Sequence, residues 1–358
     1  MYRNTKNVPY YVFGRGSLAQ LGDLLKPRRE AVDGPVVYFV DHFFRDHELI
    51  GRLPMEKGDQ LHFVDSSSEP EVTRIDAFKE AVSAADSRTP CCVVGIGGGN
   101  ALDTAKAVAN LLTNPGKAGD YQGWELVKNP AVYKIGIPTL SGTGSECSRT
   151  CVLTNIPKNL KLGMNSDYTV YDQLLLDPDL LATVPRDQYF YTGIDTFMHC
   201  VESLQGSYRN AIIDAFSVRA VQLCEEIFLS DDMMSEENRE KMMIASYIGG
   251  MAAGNVGVIH PFSAGLGVVL HVAHGLGNCL ALNVLGDIYP KEYKQFRTMI
   301  ERQGVNLPTG ICKDLTEEQY EGLYRGCIVH EKPLTNALGP DFKQILTREN
   351  LIERYKSI

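Results

Sequence analysis

Apolar positions in the first half of the chain alternate between short runs and stretches of helical spacing. Val36–Val40 (VVYFV) is an apolar run closed by Asp41, Leu61–Val64 is a second, Cys91–Ile96 (CCVVGI) a third and Tyr133–Ile137 a fourth, closed by Pro138. These predict strands. Between them, Ile75, Phe78, Ala81 and Val82 recur on one face of a predicted helix over Glu71 to Ala85. Leu102, Ala105, Val108, Ala109 and Leu112 do the same over Asn100 to Leu112. Alternation of this kind predicts a parallel sheet covered by helices. From about Arg186 the pattern changes. Ile194, Phe197, Met198 and Val201, then Ile212, Ala215, Phe216, Val218, Ala220 and Leu223, fall at helical spacing, and residues 236–253 and 315–330 continue so. No strand pattern follows Leu176. The polar, proline-bearing stretch Asp177-Pro178 to Pro185-Arg186 is the natural boundary. The expected organisation is an α/β domain over 1–184 and an all-helical domain over 185–358.

At 358 residues, longer than the ~250–300 at which one core stops growing, two domains agree with this division. A net charge of −9 with mixed signs offers no electrostatic footprint for nucleic acid or an anionic membrane. The N-terminal MYRNTKNVPYYVFG lacks the apolar segment of a signal peptide. The most apolar window, Val256 to Leu276, carries His260, Pro261, His271 and His274, which suits a buried helical segment with a functional lining rather than a membrane span. Nine cysteines without a CxxC pair imply reduced thiols, no disulfide framework and a cytoplasmic location.

Two glycine-rich elements follow predicted strands. Gly95-Ile96-Gly97-Gly98-Gly99-Asn100, with Asp103 and Lys106 beyond it, opens a helix. Glycines there let a pyrophosphate approach the backbone, and free N–H groups at a helix start attract anions. Asn100 suits the N-cap and Asp103 the first turn. A tight turn needed only for packing stays open as the alternative, because the spacing is neither GxGxxG nor a Walker loop. Pro138-Thr139-Leu140-Ser141-Gly142-Thr143-Gly144-Ser145-Glu146 offers hydroxyls and amides for a ribose, phosphate or nicotinamide, or is simply a solvated loop. Asp41, ending a strand, could accept from a ribose 2′-hydroxyl and would repel a 2′-phosphate, favouring NAD over NADP.

The second half carries candidate metal ligands. Asp195 and His199 stand four apart on a predicted helix, ~5–6 Å between Cβ atoms and on one face. His260, His271 and His274 fall within fifteen residues of each other. One carboxylate with two or three imidazoles suits Zn²⁺ or Fe²⁺ with a position left for a water or substrate oxygen. Such a cation beside a nicotinamide implies hydride chemistry at an alcohol.

With these elements together, the chain resembles the iron-containing, or group III, alcohol dehydrogenases over nearly its whole length. The carriers are GGGN-x2-D-x-AK at 97–106, PTLSGTGSE at 138–146, DPDLLATVP at 177–185 and GIDTFMHCVES at 193–203. The resemblance implies a Rossmann-like N-terminal domain, an all-α C-terminal domain, NAD and one divalent metal. By position it implies Asp195, His199, His260 and His274 as metal ligands, with His274 chosen over His271 by register. It implies cofactor contacts from Asp41, Gly97, Gly98, Gly99, Asn100, Asp103, Thr139, Ser141, Thr143, Lys161 and Leu180, and a homodimer. The family's proton-relay histidine is replaced by Ala264, leaving His271, Ser263 or water for that role, and two residues are missing between Asn255 and His260. A remodelled pocket follows. Overall resemblance within the family, rather than any one motif, further implies oxidation of the terminal primary alcohol of a sugar acid, 3-deoxy-D-manno-octulosonate, to an aldehyde that a downstream aminotransferase aminates in lipopolysaccharide sugar biosynthesis. Arg149 is the candidate cation for the acid, against an intrachain ion pair. The other readings are a dehydroquinate-synthase-like lyase using NAD and a metal, a group III dehydrogenase or aldehyde reductase of another polyol, and a non-catalytic protein that binds NAD or a metal.

Overall fold

The computed structural model describes residues 6–158 and 160–358. The described residues divide into two compact units, one within 6–140 and 145–183, the other of residues 141–144 and 184–358. The four residues 141–144 thus belong with the helical unit, which the apolar pattern does not foreshadow.

In the first unit the elements run β1 (Tyr10–Phe13), α1 (Leu21–Ala31), β2 (Val36–Asp41), β3 (Gln60–Val64), α2 (Val72–Ala85), β4 (Cys92–Gly97), α3 (Gly99–Leu111), β5 (Gly123–Trp124), β6 (Lys134–Pro138), β7 (Thr150–Asn155), β8 (Leu160–Asn165) and β9 (Gln173–Leu176). Six strands form one sheet in the order β1-β9-β6-β4-β2-β3, every pair parallel. Period-two alternation explains why β2 is apolar throughout. Val37 and Phe39 face one core with Ile75 and Val82 of α2 and Ala105 and Val108 of α3. Val36, Tyr38 and Val40 face the other with Leu21 and Leu25 of α1. A smaller sheet, β5-β8-β7, lies outside the predicted pattern; β7 and β8 pair antiparallel, with Thr154 opposite Lys161.

The second unit is helical among its described residues: α4 (Arg186–Gln205), α5 (Ala211–Phe228), α6 (Glu236–Gly249), α7 (Ile259–Leu270), α8 (His274–Val284), α9 (Pro290–Gln303), α10 (Glu317–Ile328), α11 (Glu331–Leu338), α12 (Phe342–Ile345) and α13 (Arg348–Lys356). The apolar window around 256–276 is two helices. Its break is at His271, in the left-handed conformation (φ 56°) that ends α7. No single helix among the described residues is long and apolar enough to cross a membrane. All nine cysteines are free and buried.

Candidate functional site

A carboxylate and three imidazoles converge in the helical unit. Ligand atoms from Asp195, His199, His260 and His274 all lie within 4.8 Å of one another. The first two sit one turn apart in the middle of α4, where the chain is buried on nearly every side. His260 is the second residue of α7, and His274 opens α8. Gly275 makes that arrangement possible: a Cβ there would stand 2.5 Å from the carbonyl oxygen of Tyr191, so only glycine lets the start of α8 press against α4. Nε2 of His260 lies 3.2 Å from Asp195 Oδ1, Nε2 of His274 lies 3.5 Å from Oδ2, and Nε2 of His199 lies 3.9 Å from Oδ1. The rings of His199 and His260 are stacked, their centroids 4.4 Å apart.

Burial alone would raise the Asp195 carboxyl, but His199, His274 and His260 hold it well below the usual carboxylate range. His199 is driven down to about 3, first by burial; Asp195 pulls the other way, and the charges of His260 and His274 add to the downward shift. His260 goes the other way: burial opposes its charged form, yet Glu202 and Asp195 push it up to about 9. The set therefore offers a fixed negative charge and, on His199, a neutral imidazole, which is the form that binds a cation. The donors fit a divalent ion on a further observation: Asp195 Oδ2 and His199 Nδ1 are buried and take part in no hydrogen bond. A wholly buried carboxylate oxygen with no donor is costly unless something positive reaches it. His271 is exposed, outside this group. Ala264 is buried one turn after His260, with Ser263 beside it and its hydroxyl 3.5 Å from the carbonyl of His274.

The glycine loop of the first unit joins β4 to α3. Gly97 has φ 151°, and a Cβ on it would meet Ala101 at 2.6 Å and the Cβ of Asp41 at 2.9 Å. The N-cap is Gly98, not Asn100, and no side chain caps the helix. The expectation for Asn100 fails because the helix already begins at Gly99; its amide instead donates to the carbonyls of Ser66 and Ser68. An uncapped helix start behind three glycines keeps its first N–H groups available for phosphate. Asp103 lies beyond the first turn, again because α3 starts early. Its carboxylate accepts from Ser145 Oγ and from the Val152 amide at 2.8 Å, and lies 3.2 Å from Lys106 Nζ. Lys106 is fully buried and donates to the carbonyls of Ser145 and Thr150. Asp103 and Lys106 thus fasten the chain after 145 onto α3.

The remaining predicted contacts are placed as follows. Asp41 ends β2, its Oδ1 accepting from the Phe43 amide and from Ser66 Oγ. Thr139 is buried, its amide bonded to the carbonyl of Gly97. Lys161 on β8 pairs with Glu69 at 2.9 Å. Leu180 is buried in the same core as Leu175. Ser141 and Thr143 belong to the helical unit, and Ser141 Oγ is buried without a hydrogen bond. Arg149 pairs with Glu125 at 2.6 Å and Asp167 at 2.7 Å, so its guanidinium serves an intrachain ion pair rather than a substrate acid. Missing from the sequence reading are Glu202 and Tyr289, both hydrogen-bonded around His260, and Asn278, bonded to Asp195. Glu202 lies within the GIDTFMHCVES motif, three residues after the candidate ligand His199, which is the one signal in the sequence for it.

The fold and this site define an oxidoreductase class that works with a dinucleotide and a metal, and comparison with known proteins gives the class its family. Residues 9–178 match the iron-containing alcohol dehydrogenase family, and residues 189–322 match the C-terminal part of the same family. The chain belongs to the iron-containing alcohol dehydrogenase family, whose members act on CH–OH groups with NAD and a divalent metal. Sulfoacetaldehyde reductase of Bilophila wadsworthia is 34% identical over 220 residues, 60% of this chain and 56% of that one, so the match spans little more than half of that enzyme. NAD-dependent methanol dehydrogenase of Bacillus methanolicus is 29% identical over 75% of this chain and 71% of its own. Among solved structures, sulfoacetaldehyde reductase from Bifidobacterium kashiwanohense in complex with NAD+ superposes with a TM-score of 0.79 at 24% identity, covering 99% of this chain and 98% of that one. An alcohol dehydrogenase from Oenococcus oeni gives 0.83 at 21% identity, covering 99% of each chain. At those identities the structures establish the shared fold.

Proposed function

We propose that this chain is a metal-dependent, NAD-linked enzyme that interconverts a terminal primary alcohol and its aldehyde on a small polar acid, and that the acid is 3-deoxy-D-manno-octulosonate, oxidised at C8. The observation that carries the reaction type is the convergence of Asp195, His199, His260 and His274 within 4.8 Å. When bound, a divalent cation supplies Lewis acidity toward the substrate oxygen and NAD supplies the hydride acceptor. The chain does the rest. Asp195 holds a buried negative charge, His199 stays neutral, and the uncapped start of α3 offers backbone N–H groups to a pyrophosphate. Ala264 offers no titratable group one turn after His260, which leaves proton exit to Ser263 or solvent.

Support for an anionic substrate is the relative named for sulfoacetaldehyde, itself a small acid bearing an aldehyde. Arg149 is engaged elsewhere and is not part of the reading. The enzyme is proposed to work as a cytoplasmic homodimer ahead of an aminotransferase that consumes the aldehyde. A group III reductase or dehydrogenase of another small acid or polyol is the second reading, favoured by that same relative.

The test is product analysis. Metal-loaded protein with NAD and 3-deoxy-D-manno-octulosonate should give a product two hydrogens lighter that is trapped by an aldehyde reagent, and chelation should abolish it. Turnover of simple diols or sulfonated alcohols with none of the sugar acid would move the assignment to the second reading. A product without an aldehyde, with NAD restored, would identify a lyase. Sedimentation velocity decides the dimer.

A further inference from the structure

The carboxylate of Glu202 is fully enclosed in the helical unit and is surrounded by donors from three other places in the chain. Its Oε2 lies 2.5 Å from Nδ1 of His260. Its Oε1 accepts from the backbone amide of Ile259 at 2.6 Å and from the Tyr289 hydroxyl at 3.3 Å. The same hydroxyl accepts from the amide of Val258 at 3.0 Å. These contacts explain a gap in the local design. Helix α7 begins at Ile259 with no side-chain cap from Val258, and its first amide would otherwise be a buried donor without an acceptor. Glu202, reaching across from α4, takes that amide with one oxygen and the imidazole of the next residue with the other. Gly257 is required beside it, because a Cβ there would stand 2.5 Å from the Tyr289 hydroxyl and 3.1 Å from Oε1.

We propose that Glu202 is the positioning residue for His260: locked by Ile259 and Tyr289, it takes the Nδ1 proton in a hydrogen bond and turns Nε2 toward Asp195, so that Nε2 is the nitrogen that gives up its proton for a cation. The inference rests on the reading of the four-residue cluster as a metal site and adds what selects the tautomer there. A ligating histidine whose other nitrogen is unconstrained can rotate or present N–H to the metal, whereas one held by a carboxylate does neither. Two of the three donors on Glu202, the Ile259 amide and the Tyr289 hydroxyl, lie outside the cluster, so the carboxylate is fixed whether or not a metal is bound.

Glu202→Gln separates this from a purely structural role. An amide cannot accept at both ends, so its NH2 must face either the Ile259 amide or Nδ1 of His260. Metal-free protein is titrated with Co²⁺ against a competing chelator, while its circular dichroism and melting temperature are followed and the cobalt absorption bands are recorded. Glu202→Gln is expected to fold, to bind Co²⁺ roughly 10–100-fold more weakly and to shift the cobalt bands. Glu202→Asp, which keeps the charge, should recover part of the loss, and Tyr289→Phe should weaken binding severalfold without unfolding. A folded Glu202→Gln with wild-type cobalt affinity and spectrum overturns the assignment. If Glu202→Gln does not fold, Tyr289→Phe decides it, and unchanged cobalt affinity there overturns it equally. Wild-type protein that takes up no cobalt would overturn the metal reading beneath it, a failure distinct from that of Glu202.

Discussion

Asn278 donates from Nδ2 to Oδ1 of Asp195 over 2.6 Å, and the same nitrogen lies 3.3 Å from Nε2 of His274, four residues earlier on α8. One turn of α8 thus supplies a candidate ligand and the amide that orients another. With Oδ1 occupied, Oδ2 is the carboxylate oxygen without a donor. Asn278→Ala is expected to lower metal affinity about tenfold, near 1.4 kcal/mol, and to cost ~1–3 kcal/mol of metal-free stability, because a buried carboxylate loses one of its hydrogen bonds. Chelator competition and urea unfolding measure the two effects separately. Unchanged affinity in a folded variant would show that Asp195 needs no such orientation.

His274 and His271 are three residues apart and differ in kind. His274 lies in the cluster, while His271 is exposed in a left-handed position that ends α7. His274→Ala should lose metal by at least an order of magnitude, as expected when one of four donors is removed. His271→Asn, which tolerates the left-handed conformation, should keep full metal content and a stability within ~0.5 kcal/mol of the parent. Metal analysis of the two proteins after identical dialysis is the measurement. Loss of metal from the His271 variant alone would reverse the assignment.

Strands at 36–40, 61–64, 91–96 and 133–137 are legible in the sequence because both faces of a parallel sheet are buried and the runs are continuously apolar. The strands β7 and β8 are not, since TCVLTN and LKLGMN alternate and carry Lys161 and two asparagines. Strand β1 is missed because Tyr10, Tyr11 and Phe13 are exposed and no apolar run marks an edge strand. At the site, Asp195 and His199 follow from helical spacing alone. Adding His260 and His274 takes a fold-back at His271, which residue types do not announce. Asn278 and Tyr289 carry no sequence signal, being ordinary polar residues whose meaning comes only from what they touch. The N-cap stands two residues before Asn100, at Gly98, because a glycine without a side chain carries no capping signal in the sequence.

Gly142 is fastened to the helical unit from both sides. Its amide donates to Ser246 Oγ at 2.8 Å, and its carbonyl accepts from Thr196 Oγ1 at 2.9 Å. Its φ is 149°, and a Cβ would fall 1.6 Å from the carbonyl oxygen of Thr192. Gly142→Ala must therefore displace backbone of α4, the helix that carries Asp195 and His199. A loss of at least ~3 kcal/mol is expected, with insoluble protein as the extreme. Urea midpoints taken without NAD or metal decide between packing and ligand binding. An unchanged midpoint with weakened NAD binding would assign this glycine to the cofactor instead.

Asp41 combines two roles that one substitution can part. Its Oδ1 caps the short turn after β2 through the Phe43 amide and accepts from Ser66 Oγ at 2.9 Å. Its charge is what would discriminate against a 2′-phosphate. Asn retains the carbonyl oxygen that the cap needs, whereas Ala does not. Asp41→Asn should therefore melt close to the parent, and Asp41→Ala should lose ~1 kcal/mol from the missing cap. Both should bind NAD more weakly and tolerate NADP better, with the ratio of their dissociation constants moving about tenfold toward NADP, or ~1.4 kcal/mol. Calorimetric titration of each variant with both nucleotides gives that ratio. If Asp41→Asn leaves it unchanged, the charge at the end of β2 does not face the ribose, and the preference for NAD arises at another residue.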